Sequence, residues 1–410
     1  MIFFKYASLN VIARILNFAA LAIIAKVSEV NVFAIFTIFL VSTNSIISIL
    51  GTGLVPSLIK SLVDLETTEE KVGKTIAYFL ISLFLFFFIA FFISLYRNYY
   101  AYEFHHEKLF ALVLIAAFIL LLKSYAEALL LANDFTIIAG SSKVFESFFL
   151  LIFSLLMSVT LLSLSIYEVF ILSQIAYFIP ILIKLLPSLH KSVRINFSTI
   201  TGLPKIARNL LFLSSSAIVA APVLPYLTSV QLNQIGGQLA VANFGISNQF
   251  QAMSLFLPSL LSVFLTRHVM ETGSNLRKVF KIQIYTAIMA SLVTISCVLL
   301  LEPILVDYYS AYHGIENTIY IMLIASFFHN ICNFSNNFII KYKNLGLFLT
   351  MNVIWAGSAV FSYQVFASLD LNDAIALSLL VAYMTASACR LLILKDIFKI
   401  NIHTPESYDT

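Results

Sequence analysis

Thr75–Tyr96 reads TIAYFLISLFLFFFIAFFISLY, and Leu109–Ala132 reads LFALVLIAAFILLLKSYAEALLLA. Each is long enough to cross the roughly 30 Å hydrocarbon core of a bilayer, which takes about 20 apolar residues. The first carries no charge, and the second carries only Lys123 and Glu127. The rest of the chain follows the same plan. Hydrophobic residues make up 60% of it and charged residues 11%, where a soluble protein carries roughly 25% charged residues. The sequence predicts an all-α, polytopic membrane protein.

Apolar runs between polar gaps give about twelve transmembrane helices. They are expected at 8–28, 32–57, 76–96, 109–132, 145–165, 168–187, 209–232, 238–266, 281–301, 317–340, 346–367 and 373–394. Every second gap is basic. Lys60, Lys71, Lys74, Lys143, Lys184, Lys191, Arg194, Lys205, Arg208, Arg267, Arg277, Lys278, Lys281, Lys341 and Lys343 fall there, and Lys5, Arg390, Lys395 and Lys399 lie toward the ends. The alternate gaps hold Lys26, Arg97 and Lys108 among acids such as Glu103, Glu107, Glu302, Asp307, Asp370 and Asp373. Short basic loops stay in the cytoplasm. Both termini are therefore expected to be cytoplasmic, and the formal charge of +4 reads as topology. Cations scattered over separate gaps make no nucleic-acid surface. The first run, broken by Arg14 and lacking a clear cleavage site, reads as a retained helix.

The basic stretch SLHKSVRINFSTITGLPKIAR at 188–208 has six expected helices on either side. The expected organisation is a six-helix lobe at 1–187, a cytoplasmic linker at 188–208 and a second six-helix lobe at 209–410. Two lobes around a central cavity fit a transporter built from a parallel repeat. LVPSLI at 54–59 and FLPSLL at 256–261 sit at matching places in the two halves. No sizeable outer loop, Walker loop, zinc-protease motif or nucleophile elbow is present. No catalytic residues, metal site or cofactor are expected. Cys297, Cys332 and Cys389 are far apart and read as packing residues. His105-His106 reads as a solvated loop.

A charge at the centre of a membrane helix costs roughly 2.5–3.5 kcal/mol and should face a cavity or a partner. Of the 24 cations, loops and termini explain all but Arg14 and Lys123. Arg14 lies about 13 Å beyond Lys5 along a helix. Asn10, Arg14 and Asn17 share its face. Lys123 and Glu127 are four residues apart, and Glu146 sits just inside the fifth expected helix. Together they suggest a polar cavity in the first half, although Lys123–Glu127 also reads as a self-compensated structural pair. In the second half, Asn243, Ser247 and Gln251 form one polar stripe, and Asn330, Asn333 and Asn337 form another near His329. Each Asn also reads as helix-to-helix glue. Pro222, Pro225 and Pro258 interrupt apolar helices there. A cationic, Asn-rich cavity suits a large anionic polar substrate, since Arg and Lys pair with phosphate and amides suit sugar hydroxyls. Glu127 and Glu146 keep open a cavity for organic cations.

Three segments carry a resemblance. ILGTGLVPSLIKSL at 49–62, LLLANDFTIIAGSSKVFESFFLLIFSLL at 129–156 and LAVANFGISNQFQAMSLFLPSLLSVFLTR at 239–267 resemble the multidrug/oligosaccharidyl-lipid/polysaccharide exporter superfamily. Within it, the chain is most similar to the O-antigen and capsular polysaccharide flippases of the Wzx type. The resemblance implies flipping of undecaprenyl-diphosphate-linked oligosaccharide from the inner to the outer leaflet of a bacterial cytoplasmic (inner) membrane by alternating access. It implies coupling to H+ or Na+, with Glu127 or Glu146 as ion-coupling residues, and a diphosphate held by Arg14. It also implies association with a polysaccharide polymerase and a chain-length regulator. The competing readings are a cation-coupled multidrug exporter of the same fold and a membrane polymerase or ligase of lipid-linked glycans. Lipid II flippases of the superfamily usually have two more helices.

Overall fold

The computed structural model describes residues 2–51, 58, 62, 68–100, 107–133, 135–159, 164–189, 217–270, 276–341, 345–369 and 372–403. Among them it shows thirteen helices and no strand. In chain order they are α1 (Ile2–Val27), α2 (Val30–Gly51), α3 (Thr68–Tyr100), α4 (Glu107–Ala132), α5 (Thr136–Ser158), α6 (Ile166–Ala176) and α7 (Ile179–Leu189). Then follow α8 (Val223–Leu232), α9 (Gly237–Met270), α10 (Leu276–Tyr308), α11 (Ile315–Lys341), α12 (Leu345–Ser368) and α13 (Ala374–His403). Among the described residues, ten helical stretches are long and apolar enough to cross a membrane. The chain is a multi-pass, all-α membrane protein.

Each helix satisfies its own backbone, the condition hydrocarbon imposes. What fixes their mutual packing differs from place to place. α1 packs most extensively on α5, and the sequence AGSS at 139–142 is the reason. A Cβ placed on Gly140 would lie 2.9 Å from Leu9 Cδ1 and 3.0 Å from Leu9 Cβ. Small residues let two membrane helices approach this closely. The expected fifth helix began at 145 because this small, polar tetrapeptide looks like a gap. It is a contact surface, and the helix begins nine residues earlier, at Thr136. The turn before it is short: Asn133 closes α4 through its backbone and side chain onto the Leu129 carbonyl.

The expected sixth helix, 168–187, is in fact two. Pro180 lacks an N–H, and the chain turns at Tyr177-Phe178, whose amides donate to Gln174 and Ile175. α6 starts on a capping box in which the Ser165 hydroxyl accepts from the Glu168 amide and the Glu168 carboxylate accepts from the Ser165 amide. Phe36 and Phe39 of α2 meet Tyr167 and Phe170 edge-on or tilted at 5.2–6.2 Å. Aromatic contacts of this kind add to burial. α3 is tied to α4 by Ser82 and Tyr125, 2.6 Å apart, and by Tyr125 donating to the Tyr78 carbonyl at 2.9 Å.

The chain forms two compact units, Met1–Val230 and Gln231–Thr410. The expected linker at 188–208 lies outside the described residues except for Ser188 and Leu189. In the second unit α9, α11 and α13 pack side by side, with α12 against α13. Ser254 of α9 and Ser326 of α11 join through their hydroxyls at 2.8 Å. The tight turn into α9 demands glycine twice. Gly236 has φ +72°, and a Cβ on Gly237 would lie 1.8 Å from the Gln231 carbonyl oxygen.

Candidate functional site

In the first unit, the charges left over by the sequence come together on α1, α4 and α5, but with partners other than those expected. Lys123 does not pair with Glu127 along its own helix. Lys123 Nζ reaches Glu146 of α5 at 2.5 Å, while Glu127 pairs with Lys143 of α5. The ion pairs therefore cross between two neighbouring helices. Lys143, expected in a basic loop, lies inside α5, one turn before Glu146. Its inclusion follows directly from the earlier start of that helix.

Further groups close the cluster. Lys123 donates to Gln174 Oε1 of α6 at 3.1 Å and stands 5.2 Å from the Tyr177 ring centre. Lys143 stands 5.8 Å from the Tyr6 ring centre, and the Tyr6 hydroxyl donates to Glu127 at 3.4 Å. Ring faces attract cations electrostatically, so both lysines are held by a carboxylate and an aromatic face. Glu146 is buried. Glu127 and Glu146 both act electrostatically on Arg14 of α1, whose side chain stays accessible. Three cations and two acids thus meet in one cluster.

Other expected residues behave less alike. Asn10 is buried and donates to the Tyr6 carbonyl of its own helix at 2.8 Å. Asn17 is half-buried one turn beyond Arg14. In the second unit, Asn243 is buried and donates to the His313 carbonyl at 3.0 Å, pinning the turn before α11. Ser247 and Gln251 are buried with Ser247 Oγ and Gln251 Nε2 unpartnered among the described residues. Asn330 is buried with Nδ2 unpartnered there too. Asn333 is exposed, so the stripe it was read in splits, and the Asn337 side chain lies outside those described.

The sequence reading missed Tyr6, Lys143, Gln174 and Tyr177 in the first unit. A signal existed for Lys143: it stands three residues before Glu146, on the same helix face. It also missed Arg390, placed with the terminal cations. Arg390 is only 3% exposed, inside α13. The second half is therefore not free of buried charge. Among the described residues, no three His, Cys, Asp or Glu side chains gather as a metal ion would need.

No protein-family model and no curated protein matches the chain. Solved structures do. A lipid II flippase in an inward closed conformation aligns with a TM-score of 0.70 at 14% identity, covering 95% of this chain and 87% of its own. An outward-facing multidrug resistance MATE transporter of the MOP superfamily aligns at 0.67 and 14% identity, covering 98% and 97%. A Vibrio cholerae MATE transporter aligns at 0.59 and 14% identity, covering 96% and 98%. All three are transporters, and at such identities the likeness concerns architecture. The chain has the fold of the MOP-superfamily transporters.

Proposed function

We propose that this protein is a flippase that moves undecaprenyl-diphosphate-linked oligosaccharide from the inner to the outer leaflet of a bacterial cytoplasmic membrane, for O-antigen or capsule assembly. The observation that carries this reading is the first-unit cluster itself, in which Arg14, Lys123 and Lys143 gather with Glu127 and Glu146. Lys123 and Lys143 are held by Glu146 and Glu127. Arg14 stands in the field of both acids. A guanidinium offers phosphate a planar, two-pronged donor, which suits an anionic headgroup. Lys123 and Lys143 would share the diphosphate by rotating off their carboxylates.

The acids released in that exchange, Glu127 and Glu146, would then be free to take a proton or Na+, which would couple ion movement to glycan movement. Asn10, Asn17, Asn243, Gln251, Asn330, Asn333 and Asn337 would line the path of the sugar. The two units would alternate access about that path, with both termini in the cytoplasm. A polymerase and a chain-length regulator would receive the product. The similarity to a lipid II flippase supports a lipid-linked cargo.

The test is the fate of the lipid-linked repeat unit in cells lacking the protein. Complete units trapped on the inner leaflet support the flippase. Unpolymerised units on the outer face would favour a polymerase and end this reading. The second reading, a cation-coupled multidrug exporter, is favoured by the likeness to MATE transporters and by the two acids in the cluster. It predicts efflux of a cationic dye, with no accumulation of lipid-linked glycan on deletion.

A further inference from the structure

The second unit contains a buried cation whose surroundings are rich in donors. Arg390 of α13 is 3% exposed, and among the described residues no carboxylate pairs with it. Its Nε has no hydrogen-bond partner among them. Two turns earlier on the same helix face, Tyr383 gathers three neighbours. His329 stacks on its ring at 4.4 Å with an interplanar angle of 10°. Trp355 of α12 lies 5.6 Å away, ring to ring. The Cys332 thiol points to the Tyr383 carbonyl at 3.8 Å. Arg390 acts electrostatically on both His329 and Tyr383 and hydrogen-bonds Cys332, so these groups form one cluster.

The unused hydrogen-bonding capacity there is mainly donor capacity. Arg390 Nε and Trp355 Nε1 are buried without a partner among the described residues, as is His329 Nδ1. Buried polar groups are ordinarily satisfied, and a buried charge is ordinarily paired. One species would meet both requirements. We propose that Arg390, with His329 and Trp355 in the same cluster, forms a binding site for a small monovalent inorganic anion such as chloride. The charge count favours a monovalent ion: one guanidinium is neutralised by one negative charge, whereas a diphosphate would leave an excess of negative charge inside an apolar unit. The site is separate from the Arg14 cluster and does not depend on the flippase reading.

Trp355 is the only tryptophan in the chain, so its fluorescence reports on this site. The purified full-length protein is titrated with chloride and bromide against gluconate at constant ionic strength. A saturable change is expected. Arg390→Gln is expected to weaken it at least tenfold, and Arg390→Lys less. Arg14→Ala is expected to leave it unchanged, which separates the two sites. No saturable halide response, or the same midpoint in Arg390→Gln as in the wild type, would overturn the proposal. So would a response to pyrophosphate but not to halide. Should Arg390→Gln fail to fold, Arg390→Lys and His329→Leu decide, since unchanged midpoints in both also overturn it. Because the readout needs no transported substrate, its failure leaves the flippase reading standing.

Discussion

The two units handle buried charge in opposite ways. In the first, Lys123, Lys143, Glu127 and Glu146 neutralise one another across two helices, with Arg14 in their field. In the second, the Arg390 guanidinium sits beside aromatic groups with no described acid paired to it. The first arrangement can exchange partners at small net cost, because each cation that leaves one anion can meet another. The second has nothing to exchange with, so it either keeps an anion from solution or holds its charge fixed. The contrast teaches that polarity inside a membrane protein has two uses, a relay and an anchor, and that the count of opposite charges separates them.

The sharpest break of this comparison is at Arg14. Arg14→Ala is expected to abolish complementation of a deletion strain while leaving protein abundance in the membrane intact, and Arg14→Lys to restore part of it. Full activity of Arg14→Ala would remove this guanidinium as the basis of function. Next in size is the crossed pair. Glu146→Gln strands Lys123 in a largely buried position, and removing one partner of a buried ion pair costs about 3–5 kcal/mol. The apparent melting temperature in detergent should fall clearly. Lys123→Met with Glu146→Met should recover most of that fall without recovering transport. If the double variant also transports normally, the pair is a structural tie alone.

A smaller effect is expected from Gly140→Ala. Its new methyl meets Leu9 at under van der Waals distance, and overpacking costs typically about 1–3 kcal/mol. Adding Leu9→Ala should relieve it, read again as a melting temperature. The smallest concerns Asp373, which lies just outside the last apolar span and accepts a hydrogen bond from Thr318. Burial raises its carboxyl above the ordinary range, against the lowering effect of the Thr318 bond and with some help from Glu316. The folded state therefore holds this proton more tightly than the unfolded chain does. Stability from this group is greatest below the ordinary aspartate range and declines as pH rises through the raised value. Asp373→Asn, which can still accept from Thr318, should flatten that decline and slightly raise stability at neutral pH. An unchanged pH profile would count against it.

The sequence carried the class of the fold plainly, because long uncharged runs have one physical explanation in a chain of this composition. It carried Arg14, Lys123, Glu127 and Glu146 as residues needing partners, because charge in hydrocarbon is costly. It did not carry the pairing. AGSS at 139–142 has the composition of a loop, and only the close approach of Leu9 shows that it is a helix face. Reading it as a gap put Lys143 in solvent and left Glu127 with Lys123 as its one apparent partner. Arg390 was hidden for a similar reason: it stands near the end of a span, where a cation ordinarily reaches water along its own stem. Its burial depends on α11 and α12, far away in sequence.

The crossed pairs have one more consequence. On α4 the order along the chain is cation then acid, at 123 and 127. On α5 it is again cation then acid, at 143 and 146. The two helices run in opposite directions, so the present alignment matches each charge with its opposite. Sliding one helix past the other by a single turn, about 5.4 Å, would bring Lys123 toward Lys143 or Glu127 toward Glu146. The pairs work as a key cut for one notch, and while both are made α4 and α5 travel as one piece. Bending during any working cycle is then left to places such as the Tyr177-Phe178 turn, where the backbone ladder is already interrupted.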